Sequence, residues 1–469
     1  MDETAIPESV DSTAQWPRSS VAYYTLFVLV LSTTSSQLDI AIVPYLASHI
    51  KADLHLSDTA LQLLIGVSFA LFYTLVGLPI GWLIDRYSRR LILTLGILTW
   101  SIGTALCGLA QNVAQLFSAR FVVGAGEAVN GPACYAVLAD LFPRDRLPRA
   151  VTLLQVGTML GPAIALVLSG FVLHLFLDMQ PVQVLFGVMH GWQLVFILVG
   201  APGLLVALLI ATTMRDTPRR VIRAQLTESL SERPTSLASA SVACLKDFAV
   251  AFRYMTHHWR VFGPMFAALL AGSFSIGSLQ WIPIFFERTF GWHPGKLAMM
   301  QGTAQFIVMP LGMFLGVALA EHFTRRHRSD AAIRVLIVAR LIGLPGIFGV
   351  LVPYPWLAFG LRSLSYFTIG FGAPSQNAAM QIVTPAELRG KITALYLFIY
   401  SVLGVALAPV VNGLISDFVL HDESLIRWAI FWPEIIFNPL SLLIIWWGMK
   451  WYGREVMRLK ALETAPPSA

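Results

Sequence analysis

Charge is scarce in this chain. Of its 469 residues only 12% are Asp, Glu, Lys or Arg, while 56% are hydrophobic. A soluble domain carries about 25% charged residues, so the shortage excludes a soluble enzyme or a solvated scaffold. Cysteine is scarce too. Cys107, Cys134 and Cys244 make no disulfide framework, and two of them fall in apolar runs, where a thiol packs like a small hydrophobe. There is no G-x-x-x-x-G-K-[ST] stretch, so direct drive by ATP is not expected. An H-x-x-x-H pair, a membrane-embedded nucleophile motif and a loop cluster of carboxylates are all missing. No catalytic residue, metal site or cofactor is expected, and an enzyme is not. Strict alternation of apolar and polar residues is missing as well, which excludes a transmembrane β-barrel. The first twenty residues set Asp2, Glu3, Glu8 and Asp11 against Arg18. They lack the basic start and short apolar core of a secretory signal, and read as a disordered tail before an uncleaved first helix.

Long apolar runs are what the chain does have. A membrane helix needs about 20 apolar residues, and the runs predict twelve, at about 21–46, 59–84, 91–110, 113–142, 150–177, 192–213, 260–286, 298–320, 333–352, 357–382, 391–416 and 427–449. The expected fold class is an all-α, multi-pass integral membrane protein, in the inner membrane if the source is bacterial. With the N-terminus inside, the inner segments hold 23 Lys and Arg, counting Lys391 at the edge of the eleventh run, and the outer loops 3, so both termini are expected in the cytoplasm. The formal net charge of +6 lies in these loops, so topology explains it and nucleic acid is not an expected partner. The long segment 214–259 ends in VACLKDFAVAFRYMTHHWR, apolar and polar at helical spacing. It reads as a linker whose last part lies on the inner membrane surface. The domains expected are a tail (1–20), a six-helix bundle (21–213), the linker (214–259), a second six-helix bundle (260–449) and a C-terminal tail (450–469).

The two halves echo each other. Arg120, Pro132, Pro143, Asp145 and Arg149 stand at the same spacings as Arg362, Pro374, Pro385, Glu387 and Lys391, each 242 residues on. A repeat at half the length implies two related bundles with a substrate site between them near the midplane.

The stretch GLPIGWLIDRYSRR, residues 77–90, links two apolar runs. Gly77 and Gly81 share a helix face, where small residues let helices approach closely. Asp85 falls at a helix C-terminus, the end that disfavours an anion, and Arg86, Arg89 and Arg90 follow. The set reads as a charge lock between helices. A weaker echo recurs at Gly312, Gly316, Glu321, Arg325 and Arg326.

Ionisable residues inside spans are functional candidates by default. The first half offers Asp39 in span 1, with Arg120 and Glu127 on one face of span 4. In straight helices Asp39 and Arg120 lie roughly 8 Å and roughly 12 Å outside the midplane and can pair. Glu127 falls about two turns lower, with no base at its level. Glu127 is therefore the expected proton carrier and Asp39 the relay, with protons and a small-molecule substrate as partners. In the second half, Trp281, Gln305, Arg362, Asn377, Tyr396 and Tyr400 are the candidate lining of a substrate cavity. Arg340 and Glu434 stand inside spans with no partner evident. Gly124-Ala125-Gly126 lies mid-span with no strand before it, so it is no dinucleotide fingerprint. The fold needs no second copy, and a monomer is expected.

The order G-x-x-x-G-x-x-x-D-R-x-x-R-R resembles the loop between helices 2 and 3 of the major facilitator superfamily. That resemblance implies a loop that holds the cytoplasmic side closed in the outward-facing state. IKADLHLSDTALQLLIGVSFALFY, ARFVVGAGEAVNGPACYAVLADLFP, IPIFFERTFGW and NAAMQIVTPAELRGKITALY together look like the Spinster-like branch. This likeness implies export of lysolipids or sphingoid phosphates, with Asp39 and Glu127 as the proton-linked acids. The chain departs from the branch where N-x-x-D-R is expected, reading Ser36-Gln37-Leu38-Asp39-Ile40. The arginine implied in holding an anionic head group is absent, so a less charged amphiphile, or an organic anion held by Arg120 or Arg362, is equally expected. Gly157-x-x-x-Gly161-Pro162 partly matches an antiporter-associated motif and leans toward export. Uptake of organic anions with protons is the alternative, and a non-transporting receptor or scaffold the reading from a different class.

Overall fold

The computed structural model describes residues 16–143, 145–184, 187–216, 237–385 and 388–464, and within its helices the side chains of Asp85 and Cys244, among others, lie outside the description. Spans 1 to 6 are Ser19–Leu54, 58–86, Arg89–Cys107, Val113–Leu141, Leu147–Phe176 and Gly191–Thr213. Spans 7 to 12 are Trp259–Leu279, continued by the short helix Ile282–Phe290, then Pro294–Arg325, Ala331–Ile347, Pro355–Val383, Arg389–Leu420 and Ile426–Thr464. Among the described residues, eleven helices are long and apolar enough to cross a membrane. The twelfth, span 10, has 29 residues, length enough at about 1.5 Å per residue, but Arg362, Gln376 and Asn377 lower its hydropathy. Several spans outrun the sequence expectation, span 1 by eight residues at its far end. Hydropathy finds the apolar centre of a helix, whereas backbone hydrogen bonding continues into the interfacial layer.

Side-chain caps start the spans where the sequence offers them. Ser57, Ser88 and Asn112 each accept a backbone N–H three residues on, satisfying donors that a helix start leaves open. Spans 4 and 7 are broken, by a turn at 128–129 and by Gln280–Trp281 before Pro283. Spans 2 and 11 carry π-helical turns at Leu63–Val67 and Tyr400–Leu407. A two-stranded hairpin, Val182–Val184 with Gly187–Met189, joins spans 5 and 6.

Span 1 packs on 5 and 6, span 3 on 4 and 6, and span 2 on 4. In the second half, span 10 packs on 8 and 9, and span 7 on 11 and 12. Spans 8 and 10 cross at van der Waals distance. A Cβ on Gly312 or Gly316 would overlap the carbonyl of Phe367 or Phe371, and one on Gly370 that of Met309. The helix Leu237–His257 packs against spans 2, 7 and 11.

The halves meet mainly at the end of the molecule that carries residues 51–58. Gly170 lies against Gly295, Gly302 against Ala163, and Gly66 against the backbone of Ala406. A polar cluster ties this end. Asp58, wholly buried, accepts from Lys51 at 2.5 Å, from Arg288 at 2.9 and 3.1 Å, and from Ser416 at 2.8 Å. Asp417 of the second half accepts the backbone N–H of Asp58 and of Thr59 at 3.2 and 2.7 Å. One half thus caps a helix of the other. Glu423 completes the cluster, 2.7 Å from Lys51 and 3.5 Å from Arg288.

Two outcomes follow from this packing. Removing one partner of a buried charge cluster costs about 3 kcal/mol, so Asp58→Asn should loosen the joined end. Spin labels at the exposed residues Val182 and Tyr354 should then show a longer-distance population by pulsed electron resonance. An unchanged distribution counts against the Asp58 cluster as a tie between the halves. Gly316→Val overfills the crossing of spans 8 and 10, and should lose about 1–3 kcal/mol in detergent melts.

Candidate functional site

Asp39, Arg120 and Glu127 are all buried and meet between spans 1 and 4. Arg120 Nη1 stands 3.8 Å from Asp39 Oδ2, an ion pair without a direct hydrogen bond. The guanidinium lies over the Phe69 ring at 5.2 Å. The Asp39 carboxyl also faces Thr104 and Glu127, and Glu127 faces Ser36 as well. Gly124 permits the approach, since a Cβ there would come within 2.5 Å of the Phe69 carbonyl of span 2. Gly126 does the same against span 3, at 2.5 Å from the Trp100 nitrogen. The expected Asp39–Arg120 proximity is present. The expected isolation of Glu127 is not, because Glu127 shares the site with Asp39 and Arg120. Straight-helix arithmetic placed it about two turns away, a distance that long side chains and the break after Glu127 close. Two carboxyl groups thus face one guanidinium.

The loop residues divide. Arg89 donates to the Ala136 carbonyl and pairs with Asp140, while Arg90 donates to the Ala211 carbonyl. Ser88 donates to Asp216 at 2.6 and 2.7 Å, and Arg86 stacks over Trp82 at 4.8 Å. These anchors lie in the first bundle and, at Asp216, at the start of the linker. Asp85 closes the helix Ser68–Arg86, and its side chain lies outside the described residues. The close approach expected at Gly77 and Gly81 is not made, as a Cβ on either would meet nothing within 4 Å. Spans 2 and 11 touch instead at Gly66 and Ala406, near the opposite end.

The second half encloses a cavity of about 270 Å³ among spans 7, 9, 10, 11 and 12. Arg362, Asn377, Tyr396 and Tyr400 line it, as expected. Arg362 is already neutralised, holding both Glu434 oxygens at 2.7 and 2.9 Å. It is therefore no free anion holder, and the Glu434 partner that the sequence left open is Arg362. Trp281 does not line the cavity. It is fully buried, and its indole N–H donates to the Pro409 carbonyl at 2.9 Å. Gln305 is half-buried and lies 3.9 Å from the Met309 sulfur, away from the lining. Gln376 donates to the Tyr396 hydroxyl. The residue that sequence reasoning undervalued is Arg340. It lines this cavity, and among the described residues no carboxylate pairs with it. Its lack of an evident partner in the sequence was the available signal.

The profile of the Major Facilitator Superfamily matches residues 26–409. The chain is 25% identical over 410 residues, 86% of each chain, to an "MFS-type efflux pump" of Mycolicibacterium smegmatis. It is 24% identical to a "Probable galactarate/D-glucarate transporter" of Bacillus subtilis, over 85% of this chain and 87% of that one. In fold it resembles a bacterial homolog of the human lysosomal transporter Spinster in its inward-facing, unoccupied conformation. The TM-score is 0.71 at 23% identity, covering 96% of this chain and all of the other. Two six-helix bundles, a glycine-and-arginine loop after span 2 and a family match over most of the length converge, and the chain belongs to the Major Facilitator Superfamily.

Proposed function

We propose that this protein is a proton-linked secondary transporter that moves a small amphiphilic or organic-anion substrate by alternating access. Both termini lie in the cytoplasm, and the protein works as a monomer in the membrane, the inner membrane if the source is bacterial. The observation that carries the reading is the count of charges at Asp39, Arg120 and Glu127. Arg120 balances one carboxylate. A second would stand unbalanced in a site shielded from water, where a lone charge is costly. A proton on one acid restores balance, and Glu127, farther along the face from Arg120, is the carrier. Asp39 passes the proton or switches when its contact with Arg120 changes.

Access alternates because the halves are joined at one end and free at Gly77 and Gly81 at the other. Closing that second face brings the loop Gly77, Gly81, Asp85, Arg86, Arg89 and Arg90 against the second bundle. The likeness in fold to the Spinster homolog and the efflux-pump relative support export of a lysolipid-like amphiphile. Relatives named as carriers of sugar acids support a second reading, proton-coupled uptake of an organic anion, and the Arg362–Glu434 pairing leaves Arg340 as the cation available to such a substrate.

Proton flux in reconstituted vesicles separates these readings. Lysolipids, fatty amphiphiles and organic acids are added one at a time to wild type and to Glu127→Gln. Ligand-dependent proton movement should fall about tenfold or more in the variant, equivalent to about 1.4 kcal/mol. Its sign distinguishes antiport from symport. Ligand flux that persists unchanged in Glu127→Gln ends the proton-carrier assignment. Gly81→Leu should change stability by no more than the small range of surface substitutions, about 0.5 kcal/mol, while slowing transport. Transport at the wild-type rate would show that this face need not close.

A further inference from the structure

We infer that Arg340 is an anion-binding residue, and that the cavity of the second bundle takes the acidic group of a substrate whose remaining body is apolar. The inference rests on the reading of the chain as a transporter, and deepens it by naming the chemistry that the cavity recognises.

Arg340 is the tenth residue of the seventeen in span 9, so it lies at mid-span, where a cation is costly without a counter-charge. The carboxylate on the cavity wall, Glu434, is held by Arg362 through both oxygens. Arg340 forms no ion pair among the described residues. Tyr396 and Tyr400 are the ionisable groups within electrostatic reach of it, and neither supplies a negative charge at neutral pH. The cavity wall therefore carries one positive charge in excess.

The guanidinium also has a made place. Gly272 of span 7 lies against it, and a Cβ on that glycine would overlap all three terminal guanidinium atoms. Glycine at 272 thus leaves the niche in which the planar group sits. Ser273, Gln376, Asn377 and the two tyrosines border the same space and can donate to an acidic group that Arg340 holds. A guanidinium offers paired parallel N–H donors, which fit a carboxylate or a phosphate in bidentate fashion.

Most of the remaining wall is apolar, with Leu269, Ile276, Leu279, Leu336, Ile347 and Ile369, while Ser365, Thr368 and Asn438 are its further polar members. A narrower crevice of about 40 Å³ shares Arg340, Gln376 and Tyr396 and continues between Met265, Ile333 and Met380. The acidic group would be held at Arg340, with apolar surface on either side for a chain or ring. Arg120 is already engaged by Asp39 and Arg362 by Glu434, so of these three mid-span cations among the described residues Arg340 is the one left for a ligand.

Equilibrium binding to full-length protein in lipid nanodiscs tests this, with decanoate and decanol as a pair differing in the acidic group, and D-glucarate as a polar acid. Wild type should bind decanoate about tenfold tighter than decanol, a difference of about 1.4 kcal/mol. Arg340→Gln should abolish that preference, and Arg340→Lys should keep part of it. Gly272→Ala retains the charge but displaces the guanidinium, and should weaken the preference as well; it serves as the second variant if Arg340→Gln does not fold. Glucarate that displaces decanoate from wild type and not from Arg340→Gln supports Arg340 as the anion holder and overturns the apolar body of the substrate. A decanoate preference that depends on Arg340 and is untouched by glucarate supports the site and assigns it to amphiphiles. Equal affinity for acid and alcohol in wild type, or an undiminished preference in both Arg340→Gln and Gly272→Ala, overturns it. Loss of ligand-dependent proton flux with the decanoate preference intact would instead remove the transport reading and leave the binding site standing.

Discussion

A bilayer interior offers no water to screen a charge, and that constraint organises the ionisable residues of this protein. Three arrangements result. Arg362 and Glu434 close on each other through two short hydrogen bonds, so their charges cancel and the pair fixes span 10 to span 12. Asp39, Arg120 and Glu127 put two acids against one base. Arg340 stands with no acid among the described residues. The first arrangement is structural. The other two are each one charge out of balance, in opposite directions, and a buried imbalance survives where an exchangeable species can correct it.

Much of this was legible in the chain because membrane segments state themselves by composition. Twelve apolar runs, a Lys and Arg bias between loops and a repeat at 242 residues leave few folds open. The acids and bases were identifiable one by one, since any charge inside a span stands out. Their pairing was not legible. Arg362 and Glu434 are 72 residues apart and belong to spans that sequence alone does not set side by side. Depth along a straight helix separated Glu127 from Asp39, because that arithmetic ignores side-chain length and the break in span 4. Trp281 failed as a cavity residue for a related reason. A helical position gives a face, but whether that face turns to a cavity or to Pro409 depends on how span 7 breaks at Gln280–Trp281.

Glycine shows the same division between motif and conformation. Gly77–Gly81 and Gly312–Gly316 share a spacing and a place in the repeat. The second pair is engaged, with spans 8 and 10 in contact at Phe367 and Phe371, while the first pair faces open space. The second pair packs inside one bundle, a contact that rocking leaves intact. On the proposed reading the first lies on the surface that one bundle presents to the other, with its partner present in one state of the cycle. The Asp58 cluster is the opposite face of this relation. It draws Lys51 from the first half and Arg288, Ser416 and Asp417 from the second, so it must separate if that end opens. Its donors and acceptors are many enough to hold a closed state, and each is a polar group that water can satisfy in its place.

On the proposed reading, the two imbalances also bear on coupling. With no ligand, an ionised Glu127 in the first bundle and a bare Arg340 in the second are opposite charges in one membrane layer. With a proton on Glu127 and an anion at Arg340, both sites are locally neutral. The fully empty and the fully loaded carrier therefore each have zero summed charge at these two sites. A carrier holding the proton alone keeps one net positive charge, and one holding the anion alone keeps one net negative charge. Moving a bundle past such a half-loaded site carries an uncompensated charge through a low-dielectric layer, which is the costly step. The balanced states are thus the ones free to rock, and that favours a proton and an anionic substrate crossing together. The preference comes from two unpaired side chains in different bundles and requires no direct contact between them.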